Sequence, residues 1–172
     1  MSVELLLLRH GHASQRPPSW DDRGDFGRQL SQQGEQQSIQ VGEWLKSHQL
    51  EPDAVICSSS VRTEDTAIRV CVAAGLDHSL ISFEDSIYEA EVQNLIDVLW
   101  RTPRQVHRLL FVGHNPGLEM LAVKLVGHVP KSIVGEVMPP ATLVHIVLDG
   151  GWHEALETSA SFQQVYRPSL SQ

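Results

Sequence analysis

The chain reads as an α/β protein, a three-layer α/β/α sandwich on a mostly parallel sheet. Three observations point there. Short apolar runs alternate with stretches of helical period along the 172 residues. The run Val3–Leu8 is apolar at nearly every position rather than at every second one, as in a strand covered on both faces. Finally, Asp149-Gly150-Gly151 separates two late segments by a tight turn, which predicts an antiparallel hairpin at the C-terminal edge of the sheet.

The elements follow in order. Val3–Leu8 is the first strand, and the polar loop Ser14–Gln29 with Pro17-Pro18 and Gly24 follows it. A helix from about Ser31 to Ser47 takes Ser31 as its N-cap and turns Ser38, Val41, Gly42 and Leu45 to one face. Ala54–Cys57 is a short strand. Val61 to about Ala74 is a helix with Ile68, Cys71 and Val72 inward and Gly75 as its terminator. Ser79–Phe83 is expected as a third strand.

Val92, Leu95, Ile96 and Leu99 recur at i, i+3, i+4, i+7, an amphipathic helix that Thr102-Pro103 ends. Leu109–Val112 is the fourth strand. Leu118, Leu121, Ala122 and Leu125 repeat the helical spacing, with Asn115 as N-cap and Pro116 at N1. The loop Gly127–Pro140 leads to strand Thr142–Leu148, and the turn then feeds Trp152–Glu157. No repeat, low-complexity tract or linker interrupts the pattern, so one domain is expected over residues 1–172.

Composition narrows the function classes. The hydrophobic share of 41% and charged share of 20% are those of an ordinary globular chain. With a net charge of −8 and basic residues scattered singly, no nucleic-acid partner is expected. No apolar stretch is long enough for a bilayer, and the N-terminus lacks a secretory layout. Cys57 and Cys71 read as small buried hydrophobes rather than a disulfide, so a reducing, cytoplasmic setting is expected.

Ligands of open α/β sheets bind beyond the carboxyl ends of the strands. The first strand ends in Arg9-His10-Gly11, the second in Ser58-Ser59-Ser60 with Arg62-Thr63 opening a helix, and the fourth in Gly113-His114-Asn115-Pro116. Two arginines and two histidines therefore converge on one edge. Arginine forks match phosphate oxygens and stay charged, and helix N-termini add backbone donors. A neutral imidazole can attack phosphorus and hold it covalently. A second histidine can donate to the developing equatorial oxygens. No acidic cluster with magnesium spacing accompanies them, so no metal or other cofactor is expected.

These segments resemble the motifs of the histidine phosphatase superfamily, named for its RHG sequence. Leu30-Ser31-Gln32-Gln33-Gly34 and Met138-Pro139-Pro140-Ala141 extend the match along nearly the whole chain. Within the superfamily it is most similar to the small bacterial phosphohistidine phosphatases of the SixA type. The resemblance implies a phosphoglycerate mutase-like fold, His10 as phosphorylated nucleophile, and Arg9, Arg62 and His114 as the phosphate pocket. Ser58 and Asn115 are candidate substrate contacts. Ile87-Tyr88-Glu89 resembles the stretch that carries the general acid in related mutases, making Glu89 the candidate; Asp21, Asp22 and Asp25 in the early loop are its competitors.

Other patterns are weaker. His10-Gly11-His12 lacks a further ligand for zinc, so His12 is read as a rim residue. Cys57 and Arg62 stand at C-x4-R, one residue short of the cysteine-phosphatase loop, so Cys57 is expected to be structural. The loop Arg16–Arg28 is long enough to serve as a rim beside the site. The short segment Glu84–His107 leaves little chain to cover the pocket, which favours a phosphohistidine-bearing protein as substrate. A small-molecule phosphomonoesterase or mutase, and a non-catalytic phosphate-binding scaffold, are the alternatives.

Overall fold

The computed structural model describes residues 2–132 and 135–169. Six strands, β1 (Ser2–Arg9), β2 (Ala54–Cys57), β3 (Ile81–Phe83), β4 (Arg108–Gly113), β5 (Leu143–Asp149) and β6 (Ala160–Tyr166), form one sheet in the order β3-β2-β4-β1-β5-β6. β1 to β4 are parallel where they pair; β5 runs antiparallel to both β1 and β6. Four helices, α1 (Gln32–Ser47), α2 (Val61–Ala74), α3 (Val92–Trp100) and α4 (Gly117–Val126), cover its two faces. None of them is long and apolar enough to cross a membrane.

The leucine run of β1 shows why the strand must be apolar throughout. Leu5 and Leu7 pack in the core under α3 and α4, while Leu6 and Leu8 pack under α1 and α2. All four are wholly buried, each contributing about 1.5–3 kcal/mol of transfer free energy. β4 repeats the division, with Leu109 and Phe111 on one side and Leu110 and Val112 on the other. Such a strand has no solvent face, so its polar residues are confined to its ends.

α1 starts where expected: Ser31 Oγ accepts from the Gly34 amide. Gly42 lets α1 approach α2 closely, since a β-carbon there would stand 2.4 Å from the Val70 carbonyl oxygen. α2 differs from expectation in its facing. Ala67, Val70, Cys71 and Ala74 point inward, whereas Ile68 and Val72 are exposed. The smaller residues win the inward positions because two helices in close contact leave no room for larger ones.

Three boundaries also shift. The expected strand Ser79–Phe83 is divided into a 3-10 turn at His78–Leu80, capped by Asp77, and the shorter β3. α4 begins one residue later than expected, with Pro116 at its N-cap, and Asn115 donates its amide to the Met138 carbonyl instead of capping. The strand after the Gly150-Gly151 turn is not Trp152–Glu157 but β6. Trp152 is 1% exposed and its indole N–H donates 2.8 Å to the Val106 carbonyl. Burying that ring and pairing its donor holds 152–154 in a 3-10 turn and delays the strand.

Candidate active site

The carboxyl ends of β1, β2 and β4 meet on one edge, and β5, running the opposite way, starts there. The chain entering β5 therefore passes the same edge. Ala141 N donates to the His10 carbonyl, and Arg9 Nη1 donates 2.8 Å to the Met138 carbonyl. Beyond β1, the turn at Gly11 is pinned from two sides. Its amide donates 3.0 Å to Thr66 Oγ1, which in turn donates to the Arg62 carbonyl. Gly34 approaches so closely that a β-carbon there would lie 2.0 Å from the His12 carbonyl oxygen. The first turn of α1 thus wedges the histidine-bearing turn against the first turn of α2.

His10 is 9% exposed. Its Nδ1 lies 2.7 Å from the Gly11 carbonyl oxygen, which can only accept, so Nδ1 carries the proton and Nε2 the lone pair. Arg62 Nε stands 3.4 Å from that Nε2. Burial, with lesser contributions from His114, Arg62 and Arg9, drives the His10 pKa down to about 3 against the support of the Gly11 carbonyl. The imidazole is neutral at physiological pH, the form a nucleophile needs.

His114 is placed by the mirror-image logic. Arg62 Nη2 lies 3.4 Å from His114 Nδ1 and can only donate, so His114 Nε2 holds the proton and donates 2.8 Å to Ser58 Oγ. Burial first, and the Arg62 charge second, lower its pKa to about 3. The two rings are 5.4 Å apart, centroid to centroid. The Nε and Nη2 edge of Arg62 faces both lone pairs across gaps slightly too long for good hydrogen bonds. An incoming phosphoryl oxygen can accept from those Arg62 donors, which frees the His10 lone pair for phosphorus.

Neutral, buried histidines make a pH prediction with a definite sign. The unfolded chain protonates them near 6.5 and the folded chain does not until about 3, so stability falls as pH drops between those values. The slope is at most about 1.4 kcal/mol per pH unit from His10. Nitrogen-15 NMR of the His10 ring should show the Nδ1–H tautomer unchanged from pH 8 to pH 5. A titration near 6.5 would contradict this placement.

The structure sorts the other candidates. Ser58, expected against the phosphate, is wholly buried behind His114 and serves as its acceptor. Asn115 lines the cleft with its Nδ2 turned to the Met138 carbonyl, while its Oδ1 is buried without a partner among the described residues. Arg9 Nε is likewise buried with no partner among the described residues. His12 is at the rim, its Nδ1 against Ser31 Oγ. Cys57 is wholly buried, with its thiol pKa raised by burial. Among the described residues, no three metal-ligating side chains gather closely enough to hold an ion.

The acidic candidates separate cleanly. Asp21 is taken up by Arg23 and packs against Gly27. Asp22 is exposed. Glu89 lines the cleft, held in the left-handed region at φ 49°. Asp25 reaches the arginine itself: its Oδ2 is 2.9 Å from Arg62 Nη2 and its backbone carbonyl accepts from Arg62 Nη1 at 2.7 Å. Tyr88 OH donates 2.8 Å to the same Oδ2, and Arg28 holds Oδ1. Sequence reasoning did not single out Tyr88, whose ring also meets the His114 ring edge-on at 5.4 Å. Its only signal was an aromatic residue beside a candidate acid.

Asp25, Arg62, Glu89 and His114 line a cleft of about 430 Å³ together with Leu95 and Pro116, among others; His10 lies behind them, reached through Arg62. A family model described as histidine phosphatase superfamily (branch 1) matches residues 5–84, the span that holds Arg9, His10, Ser58 and Arg62. An uncharacterised chloroplastic protein of Arabidopsis thaliana is 30% identical over 139 residues, 74% of this chain, and the match spans 61% of the relative's length. A protein of Haemophilus influenzae named phosphohistidine phosphatase SixA homolog is 27% identical over 92% of this chain and 96% of its own. The solved structure from Nakamurella multipartitia, described as a phosphohistidine phosphatase SixA, superposes with a TM-score of 0.80 at 25% identity, covering 99% of this chain and 98% of that one. Sequence motifs, fold and relatives agree, and the chain belongs to the histidine phosphatase superfamily.

Proposed function

We propose that this enzyme hydrolyses the phosphohistidine of a partner protein through a covalent phosphate on His10. The observation that carries the reading is the His10 ring: neutral, with its proton fixed on Nδ1 and its Nε2 lone pair facing the Arg62 fork. In the reaction, Nε2 attacks phosphorus in line with the departing nitrogen. Arg62 and Arg9 neutralise the oxygens, and His114, braced by Ser58, takes a solvent proton on Nδ1 as the dianion arrives and donates it in a hydrogen bond to a phosphoryl oxygen. A phosphohistidine leaves as a neutral imidazole when its other ring nitrogen is protonated, so this step needs no general acid.

The choice of a protein-borne substrate is supported by access. Between β3 and β4 only a 3-10 turn and α3 intervene, and α3 packs with α4 and lends Leu95 to one wall of the cleft. The mouth residues Asp25 and Glu89 are exposed. The two names above, SixA homolog and SixA, agree with this class. Free, buried Cys57 and Cys71 fit a reducing cytoplasm.

The test compares a histidine-phosphorylated protein, a panel of phosphosugars and 3-phosphoglycerate under one assay. We expect kcat/KM to be at least about tenfold higher for the phosphohistidine protein, a difference of about 1.4 kcal/mol in transition-state binding. Faster turnover of any phosphosugar or of 3-phosphoglycerate would overturn the reading.

A further inference from the structure

Hydrolysis through a phosphorylated histidine has two displacements, and they make different demands on protons. When the phosphoryl group sits on His10 Nε2, the Gly11 carbonyl still holds the proton on Nδ1. The ring then departs from phosphorus as a neutral imidazole, taking back the electron pair of the P–N bond. The first displacement likewise releases a neutral imidazole from the substrate. The water that attacks in the second displacement is the one reactant that must lose a proton to a group in the cleft.

We propose that Asp25 takes that proton, with Tyr88 as the positioning residue that aims its carboxylate; the proposal rests on the covalent reading above. In the step, a water O–P bond forms as the His10 Nε2–P bond breaks. Arg62 Nη2 turns from Asp25 Oδ2 to the phosphoryl group, and one water proton passes to the position it vacates on Oδ2. Inorganic phosphate is released, and Asp25 returns the proton to solvent. Oδ2 is 2.9 Å from Arg62 Nη2, the nitrogen that also faces His114 Nδ1 at 3.4 Å. The carboxylate therefore borders the space where the phosphoryl oxygens must lie. Tyr88 OH donates to that same oxygen at 2.8 Å, and Phe26 packs edge-on against the Tyr88 ring at 5.0 Å. Arg28 takes the other oxygen and is itself tied to the Ser14 carbonyl.

The electrostatics exclude an acid, and they leave Asp25 a weak base until the hold of Arg62 is relaxed. Hydrogen bonds from Arg28 and Tyr88 and the charge of Arg62 outweigh desolvation and hold the Asp25 carboxyl well below the usual carboxylate range. Such a group is ionised throughout the physiological range and cannot donate to a leaving group. When an incoming phosphoryl draws the Arg62 fork toward itself, the carboxylate loses part of that hold and becomes more basic as the phosphoenzyme forms. Two flanking arginines offset repulsion between carboxylate and phosphoryl. Glu89 also faces the cleft, but among the described residues no comparable hydrogen bonds aim its carboxylate.

The experiment is rapid-quench kinetics with a phosphorus-32 phosphohistidine protein, following both phosphate release and label on His10. In Asp25→Asn we expect phosphoenzyme formation to fall less than tenfold and its hydrolysis to fall about 100-fold. Label then accumulates on His10 at steady state. Hydroxylamine, which attacks phosphorus without a base, should speed dephosphorylation of Asp25→Asn more than that of the wild type. Tyr88→Phe should show a milder version, with kcat reduced and KM unchanged.

Equal slowing of both steps in Asp25→Asn would overturn the role, leaving Asp25 as a brace for Arg62 alone. Accumulation of label in Glu89→Gln instead of Asp25→Asn would assign the base to Glu89. Absence of labelled His10 in every variant and in the wild type would reject the covalent mechanism itself, and this step with it.

Discussion

His10→Ala is expected to lower kcat by at least about 10⁴-fold and to abolish labelling of the enzyme by a phosphorylated substrate. The loss is that large because no neighbouring group can substitute. The His114 ring is 5.4 Å away, and its Nδ1 lone pair is turned to Arg62 Nη2. The variant should still fold. His10 makes one side-chain hydrogen bond within its own turn, and the turn is held independently by the Gly11 amide on Thr66 and the His10 backbone on Gly113 and Ala141. Losing the ring should cost about 1–3 kcal/mol at pH 7. That cost should shrink at pH 5, where the wild type is penalised for keeping the imidazole neutral. Urea titrations at both pH values check the stability, and a stopped assay checks the activity. Normal turnover by His10→Ala would reject the mechanism.

Arg62→Ala should reduce kcat/KM by about 10³-fold, or about 4 kcal/mol. Arg62 touches every part of the site. Nε faces His10, Nη2 faces His114 and Asp25, and Nη1 holds the Asp25 backbone. Arg62→Lys should recover less than a tenth of the activity, because an ammonium supplies charge without the planar fork. The substitution should also loosen the early loop, whose Asp25 would keep only Arg28 and Tyr88. Faster proteolysis between Trp20 and Arg28 in Arg62→Ala would report this, with Arg62→Lys intermediate. Equal activity of the lysine variant would mean that the fork geometry does not matter.

His10, Arg62 and His114 were legible because each stands at the end of a wholly apolar strand or at the start of the helix that follows. A strand buried on both faces leaves polar side chains nowhere else to go. Ser58 was legible as part of the site but not in its task, since whether a hydroxyl meets substrate or braces a histidine depends on a ring from another strand. Ile68 and Val72 were misplaced because helical period alone does not say which apolar stripe faces the partner helix. The Trp152 turn was misread because the acceptor of its indole N–H, Val106, is remote in sequence.

Asp25 and Tyr88 show the same limit within the site. They are 63 residues apart in the chain yet share one hydrogen bond, and no local pattern links them. The sequence alone determined the layer order, the parallel strands and the cationic, histidine-bearing edge, because periodicity and strand-end chemistry are local properties of the chain. The tertiary structure decided which carboxylate reaches Arg62, which nitrogen of each histidine is free, and how closely two turns approach at Gly34. Those depend on distances of a few ångströms between elements far apart in sequence, set by packing and by each donor's need for an acceptor.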